Sequence, residues 1–545
     1  MKYLKTIAAV LAGMAFFQSC TMKTNVDLIG INGVVYTVDS AFSMAEAFAV
    51  KDGKFVYVGS TKEVLEQFSS SATVDFGGKA VYPGLIDAHC HLLELGQNLM
   101  SADLKGCKSL EEVVARVKDF YGKHPGIKLI TGAGWDQNLW PDKSLPDNSL
   151  LNEAFPVIPV CLSRIDGHAV LANDAAIRAM GYDINDKSLN RGEYKVKDGR
   201  FSGIFMENMC VRFKTDLSPV KADSLSDVLL EAQAECFRYG LTSVCDAEVE
   251  YGTLQALLSL AEDGRLKLKV DAWPLPTEEN FEKVTKPFTV KNVKVDTYKL
   301  YRDGALGSRG SLLKEDYSDM PGTKGLEFYS YDRFKSYCQW CYEHGFRVAT
   351  HCIGDAAVAS ALDVYAEFLK GPNDLGWRIE HAQTVADEDI DKFRQYSVIP
   401  SVQPTHCTSD MFWAKDRLGD RIRTGYRYKD LLNQLGWIPS GTDFPIESVN
   451  PIYTFFAAVF RKNLEFKPEE GFQMENALTK EEALRSMTIW AAKSTSEDAV
   501  KGSIEPGKAA DFITTDIDFY IADEKKVPGT RVTGTWINGE KVFSL

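Results

Sequence analysis

Four of the eight histidines fall where short apolar runs end. His89-Cys90-His91 closes the run Gly84-Leu-Ile-Asp-Ala. Two histidines at i and i+2 of a strand point to the same face and can grip one metal ion together. His351 closes Arg347-Val-Ala-Thr, His381 closes Arg378-Ile-Glu, and Asp443 closes Ile438-Pro-Ser-Gly-Thr, while Lys299 sits near the end of Val295-Asp-Thr-Tyr-Lys-Leu-Tyr. An HxH pair alone is often incidental. Imidazoles and a carboxylate gathered at strand ends are the donor set of a divalent metal ion.

Positioning these residues requires strands that end on one side of a sheet. The middle of the chain alternates helix-length amphipathic stretches with short apolar strands, which is the pattern of βα units and a parallel sheet. Eight strands are expected in order: Gly84–His89, Leu241–Asp246, Leu268–Trp273, Val295–Tyr301, Arg347–His351, Arg378–His381, Val398–Gln403 and Ile438–Asp443. Eight fits an α/β fold of the (β/α)8 TIM-like barrel type, whose active site lies at the C-terminal ends of the strands. About 140 residues separate the first two strands, far more than a βα connection needs. That stretch, 97–235, carries strands of its own and reads as a subdomain inserted over the barrel mouth. Short strands with Asn-Gly and Asp-Gly turns occur at both ends of the chain. They predict a composite β-sandwich domain from 20–82 and 495–545, with the barrel over 83–494.

The 545 residues, 45% apolar and 25% charged, suit a globular protein with a sizeable core and exclude disorder and collagen-like structure. A net charge of −14 and the lack of any Lys/Arg block argue against nucleic acid as a partner. Residues 1–19 read as a lipoprotein signal peptide: Lys2 and Lys5 precede an apolar stretch too short to span a bilayer. Phe17-Gln-Ser-Cys20 looks like a lipobox, which would make Cys20 the lipidation site and the only membrane attachment. The expected location is the cell envelope, lipid-anchored outside the cytoplasm, in the periplasm or on the outer membrane. Cys338-Gln-Trp-Cys341 has no second ligand pair nearby and reads as helix packing.

Pro83-Gly-Leu-Ile-Asp87-Ala-His89-Cys-His91 resembles the first-strand signature of the amidohydrolase superfamily. Lys299-Leu-Tyr-Arg-Asp303, His351-Cys-Ile-Gly-Asp355, Arg378-Ile-Glu-His381-Ala-Gln383, Ser401-Val-Gln-Pro-Thr-His406 and Gly441-Thr-Asp443-Phe-Pro resemble its amidohydrolase-3, YtcJ-like branch. The similarity runs from about residue 26 to the C-terminus. It implies that His89, His91 and Asp443 hold one metal and His351 and His381 a second. It further implies that Lys299, carrying CO2 as a carbamate, bridges both. The expected cofactors are thus one or two Zn2+ and the carbamate on Lys299, although Lys299 could instead pair with Asp303. The implied reaction is hydrolysis of a non-peptide C–N bond by metal-activated water in an amide, cyclic amide or N-formyl or N-acyl compound. Asp443 is then the catalytic general base and acid.

Among the remaining residues, His168 matches a family motif in the insert and, with Trp135 and Arg164, is a candidate for substrate contact; a structural role for His168 fits equally. His406 is expected to line the pocket, and His124 and His344 to lie on the surface. Glu207 is either a pocket residue or exposed helix. The same metal site would also support a deaminase or an esterase, and a non-catalytic solute-binding lipoprotein is the reading from another class. Dimers are common among such barrels, and no sequence feature here establishes a homodimer.

Overall fold

The computed structural model describes residues 23–141, 143–165, 168–217 and 225–545. The expected signal peptide and lipidation site, residues 1–19 and Cys20, lie outside the described residues. No helix among these is long and apolar enough to cross a membrane.

The fold is mixed α/β. Seven of the eight expected core strands form: β1 (Leu85–Cys90), β2 (Leu241–Val249), β3 (Lys269–Pro274), β4 (Thr297–Tyr301), β5 (Arg347–Cys352), β6 (Arg378–His381) and β7 (Ile399–Ser401). β1, β2 and β3 run parallel and continue into Val293–Val295, while β4 to β7 form a second parallel sheet. Every residue of β1 and β6 is buried, as expected for parallel strands covered on both faces.

Two departures from the expected barrel have local causes. The fourth strand is interrupted at Asp296, so Val293–Val295 pairs with β3 and β4 with β5. The expected eighth strand is no strand: only a bridge between Val402 and Ser440 forms there. Its backbone goes elsewhere. The amide and hydroxyl of Thr442 bond the buried Asp87 carboxylate, and Gly441 lies so close to β1 that a Cβ would sit 2.5 Å from the His89 nitrogen. Asp443 donates its amide to the His89 carbonyl (2.8 Å), and His91 donates its own to the Phe444 carbonyl (2.8 Å). The strands therefore form two parallel sheets and no closed barrel, yet Asp443 still reaches the end of β1.

Strands from both chain ends share a six-stranded sheet in which Phe512–Thr515 lies between Ala80–Pro83 and Val532–Ile537. Phe48, Phe55 and Phe76 pack from the N-terminal side against Phe512 and Trp536. Between β1 and β2 a separate six-stranded sheet, running from Ala102–Asp103 to Arg200–Met206, has apolar cores of its own. Cys338 and Cys341 are buried, free thiols on the helix Tyr331–Glu343, consistent with packing.

Candidate metal centre and active site

Strand register brings the chemistry together. Across the second sheet Tyr301 lies opposite His351, and Cys352 opposite His381, so Lys299, His351 and His381 arrive at one end. His89 and His91 arrive there from β1. Successive strand residues should point to opposite faces, yet both Glu380 and His381 meet His89. The alternation is broken by left-handed backbone at His381 (φ +69°) and Ala382 (φ +40°). Glu248 (φ +66°) and Asp443 (φ +61°) are left-handed as well. Such conformations cost non-glycine residues on the order of 1 kcal/mol, and they cluster where function holds a side chain in place.

His89 is completely buried, and its two nitrogens divide the work. Nδ1 is 2.6 Å from the Glu380 carboxylate; Nε2 is 3.0 Å from Lys299 Nζ and 3.6 Å from Asp443 Oδ1. A carboxylate behind one nitrogen fixes the tautomer that leaves the other lone pair free for a metal. Glu380 is itself clamped by Arg378, which also donates to the Ala88 carbonyl (2.9 Å) and Ser401 Oγ (2.7 Å). Asp443 accepts from His91 Nε2 at 3.0 Å and from His406 Nε2 at 2.9 Å. His91 Nδ1 lies 3.4 Å from Glu248, and His406 Nδ1 3.4 Å from Glu447.

His89, His381 and Asp443 each place a ligand atom within 4.8 Å of the others and form a buried candidate metal site. Burial, reinforced by the nearby Lys299 charge, holds His89 at about 4 and His351 at about 3; burial and His351 keep His381 far below the ordinary histidine range. These three imidazoles are neutral and can donate lone pairs. His351 Nε2 and His381 Nδ1 are buried without any hydrogen-bond partner, a costly state that a bound cation would relieve. The donor set fits a divalent metal. Burial opposes the charge on His91 and His406, but their bonds to Asp443, with Glu248 and Glu447 behind them, raise them to about 9 and about 10. The same bonds outweigh burial at Asp443 and keep its carboxyl well below the usual range. Metal binding at His91 must therefore displace a proton, so affinity falls as pH is lowered.

A cavity of about 380 Å³ opens onto this cluster, lined by His91, Lys299, His351, His381, His406 and Asp443 together with apolar side chains. His406 thus lines the pocket. Trp135, Arg164 and His168 do not line it. Trp135 is fully buried in the insert core and donates Nε1–H to the Leu162 carbonyl; Arg164 bonds Asp136 and Gln137. His168 is exposed beside Glu207, 3.3 Å away. The structure does not bring these three to the cavity: the insert folds them into its own sheet and surface. His124 and His344 cap the C-termini of their helices, each partly exposed and bonded to a carbonyl one turn back, Phe120 and Trp340 respectively. Lys299 forms no ion pair with Asp303, whose carboxylate accepts the amides of Leu312, Ile353 and Gly354. Glu380, Arg378, Glu248 and Glu447 were assigned no role from sequence. The available signal was Arg378 and Glu380 at i, i+2 beside a ligand histidine.

The clamp on Glu380 has a measurable consequence. Burial alone would raise this carboxyl, but Arg378 and then His89 bring it down to about 2 from 4.5. A folded pKa below the unfolded one stabilises the protein above pH 4.5, and the gain is lost as pH falls through about 2. Glu380→Gln should therefore cost on the order of 3 kcal/mol at pH 7 by stranding Arg378. The melting-temperature gap to the parent should narrow as pH falls below 4.5. An equal gap at pH 7 and at pH 3 would contradict it.

A model of the amidohydrolase family matches residues 72–543. The putative amidohydrolase YtcJ of Bacillus subtilis is 28% identical over 94% of this chain and 98% of its own. The N-substituted formamide deformylase of Arthrobacter pascens is 24% identical over 94% of this chain and 97% of its own. The crystal structure of an uncharacterized metal-dependent hydrolase from Pyrococcus furiosus superposes with a TM-score of 0.75 at 29% identity, covering 92% of this chain and all of that one. With a family model covering most of its length, the chain belongs to the amidohydrolase family, and it is a metal-dependent hydrolase.

Proposed function

We propose that the protein hydrolyses a non-peptide C–N bond in a small N-formyl or N-acyl compound, at a centre held by His89, His91, His351, His381, Asp443 and a carboxylated Lys299. One observation carries this reading: two neutral imidazoles with orphaned buried nitrogens, His351 and His381, line one cavity with Asp443, and a third, His89, stands within ligand reach of His381 and Asp443. The formamide deformylase relative supports the choice of bond. Bound there, one or two divalent ions, zinc by donor type, supply Lewis acidity toward the amide carbonyl and acidify water.

The chain's own groups do the rest. Asp443, held at Oδ2 by His406, accepts the proton of the attacking water and returns it to the leaving nitrogen. Glu380 keeps the His89 proton on Nδ1. Burial lowers the Lys299 pKa and so favours the free amine. That amine adds to CO2, releasing one proton and leaving an anionic carbamate in place of an ammonium. We further propose that 20–82 and 495–545 act as one β unit beside the catalytic region, and that Cys20 carries a lipid anchor in the cell envelope.

The direct test is metal analysis of protein purified without chelator. One or two equivalents of a divalent metal are expected, with amidase activity that chelation abolishes and zinc restores. Protein that takes up no metal even with zinc and bicarbonate would overturn the reading.

A further inference from the structure

Beside the candidate active site lies an annex of about 300 Å³, which shares His91, Glu94 and Glu248 with the main cavity. Its walls add Asp246 and Glu250, so four acidic residues line one small space. Glu248 is paired with His91 (3.4 Å), but among the described residues no lysine, arginine or histidine forms an ion pair with Glu94 or Asp246. Asp246 is 2% exposed; Oδ1 accepts the Leu92 amide (2.7 Å), while Oδ2 is buried with no hydrogen-bond partner. A buried carboxylate oxygen left unpaired is costly unless something fills the position.

A metal ion is a poor occupant. It needs several ligand atoms at about 2–2.6 Å, and the one group of side chains among the described residues that gathers tightly enough is His89, His381 and Asp443. A protonated amine has three donors and suits carboxylates spread around a pocket. The other walls of the main cavity carry apolar Leu306, Ile353, Trp413 and Ile446, together with Gln383 and Asp410, whose Oδ2 already accepts from Gln383 and Tyr426.

We propose that the annex is a subsite for a protonated amine, so that the substrate is an N-acylated amine with an apolar body and a second, cationic amine. The assignment rests on the hydrolase reading of the adjoining centre. Glu94, accessible from the cavity, and Asp246 hold the ammonium while the amide carbonyl reaches the metal centre.

The test compares two formamides on the metal-loaded enzyme: mono-N-formyl-1,4-bis(aminomethyl)benzene and its neutral analogue N-formyl-4-(hydroxymethyl)benzylamine. The cationic compound should be favoured at least about tenfold in kcat/KM, the scale of one charge-assisted bond. Glu94→Gln should bring the ratio toward one. A ratio near one in the parent, or one unchanged by Glu94→Gln, overturns the subsite. Calorimetry separates this from failure of the hydrolase reading. If neither formamide is cleaved, benzylamine should still bind about tenfold tighter than benzyl alcohol in a Glu94-dependent way; equal binding refutes the annex.

Discussion

Replacing Asp443 with Asn is expected to lower kcat by at least about 10³-fold, at the upper end of what a positioned acid–base group contributes, because a metal ligand is lost as well. The substitution is a clean one. Asn is among the residues that best tolerate left-handed backbone, so the φ of +61° at this position survives. The amide donated to the His89 carbonyl and the turn behind it survive too. What disappears is the negative charge that His91 and His406 hold between them. Without it both imidazoles lose the partner that keeps them protonated, and no group remains to carry a proton from water to the leaving nitrogen. The measurement is single-turnover hydrolysis of a simple formamide together with metal content. Turnover above about a tenth of the parent's, with metal retained, would remove Asp443 from the mechanism.

The parts of this site that could be read from sequence follow one physical rule. Parallel strands buried on both faces are continuous apolar runs, so a histidine closing such a run stands out. His89, His91, His351 and His381 were visible for that reason, and the strand order placed them at one end. Glu380 and Arg378 were not, because a charged pair on a buried strand looks the same whether it satisfies itself or holds a ligand. The decisive contact, Glu380 to His89, joins residues 291 apart in the chain. The eighth strand was misread for a related cause. Its apolar start and terminal Asp443 fit a strand, but Asp87 captures the backbone of Thr442 and Gly441 packs against β1. Resemblance carries a motif such as that of Trp135 and Arg164 across without saying which way the insert turns it, and here the insert turns both away from the cavity lining.

Lys299→Ala should lower kcat/KM about 10²–10³-fold, the scale of a bridging ligand worth several kcal/mol, and reduce bound metal to one equivalent or less. The argument starts from what surrounds the amine. Lys299 is 1% exposed, its Nζ lies 3.0 Å from His89 Nε2, and no carboxylate among the described residues pairs with it. A buried ammonium in such a place is costly, which is why burial depresses its pKa. A neutral amine is tolerated there and is the form whose lone pair attacks CO2. If the working species is the carbamate, alanine leaves room where a small anion can sit. Acetate or propionate should then restore activity at least about tenfold, while the corresponding alcohols should not. Lys299→Arg should show the same loss without rescue, since a guanidinium neither deprotonates nor takes up CO2. Parental rate and metal content in Lys299→Ala would leave the lysine a packing role only, and loss without carboxylate rescue would point to the amine itself as the required group.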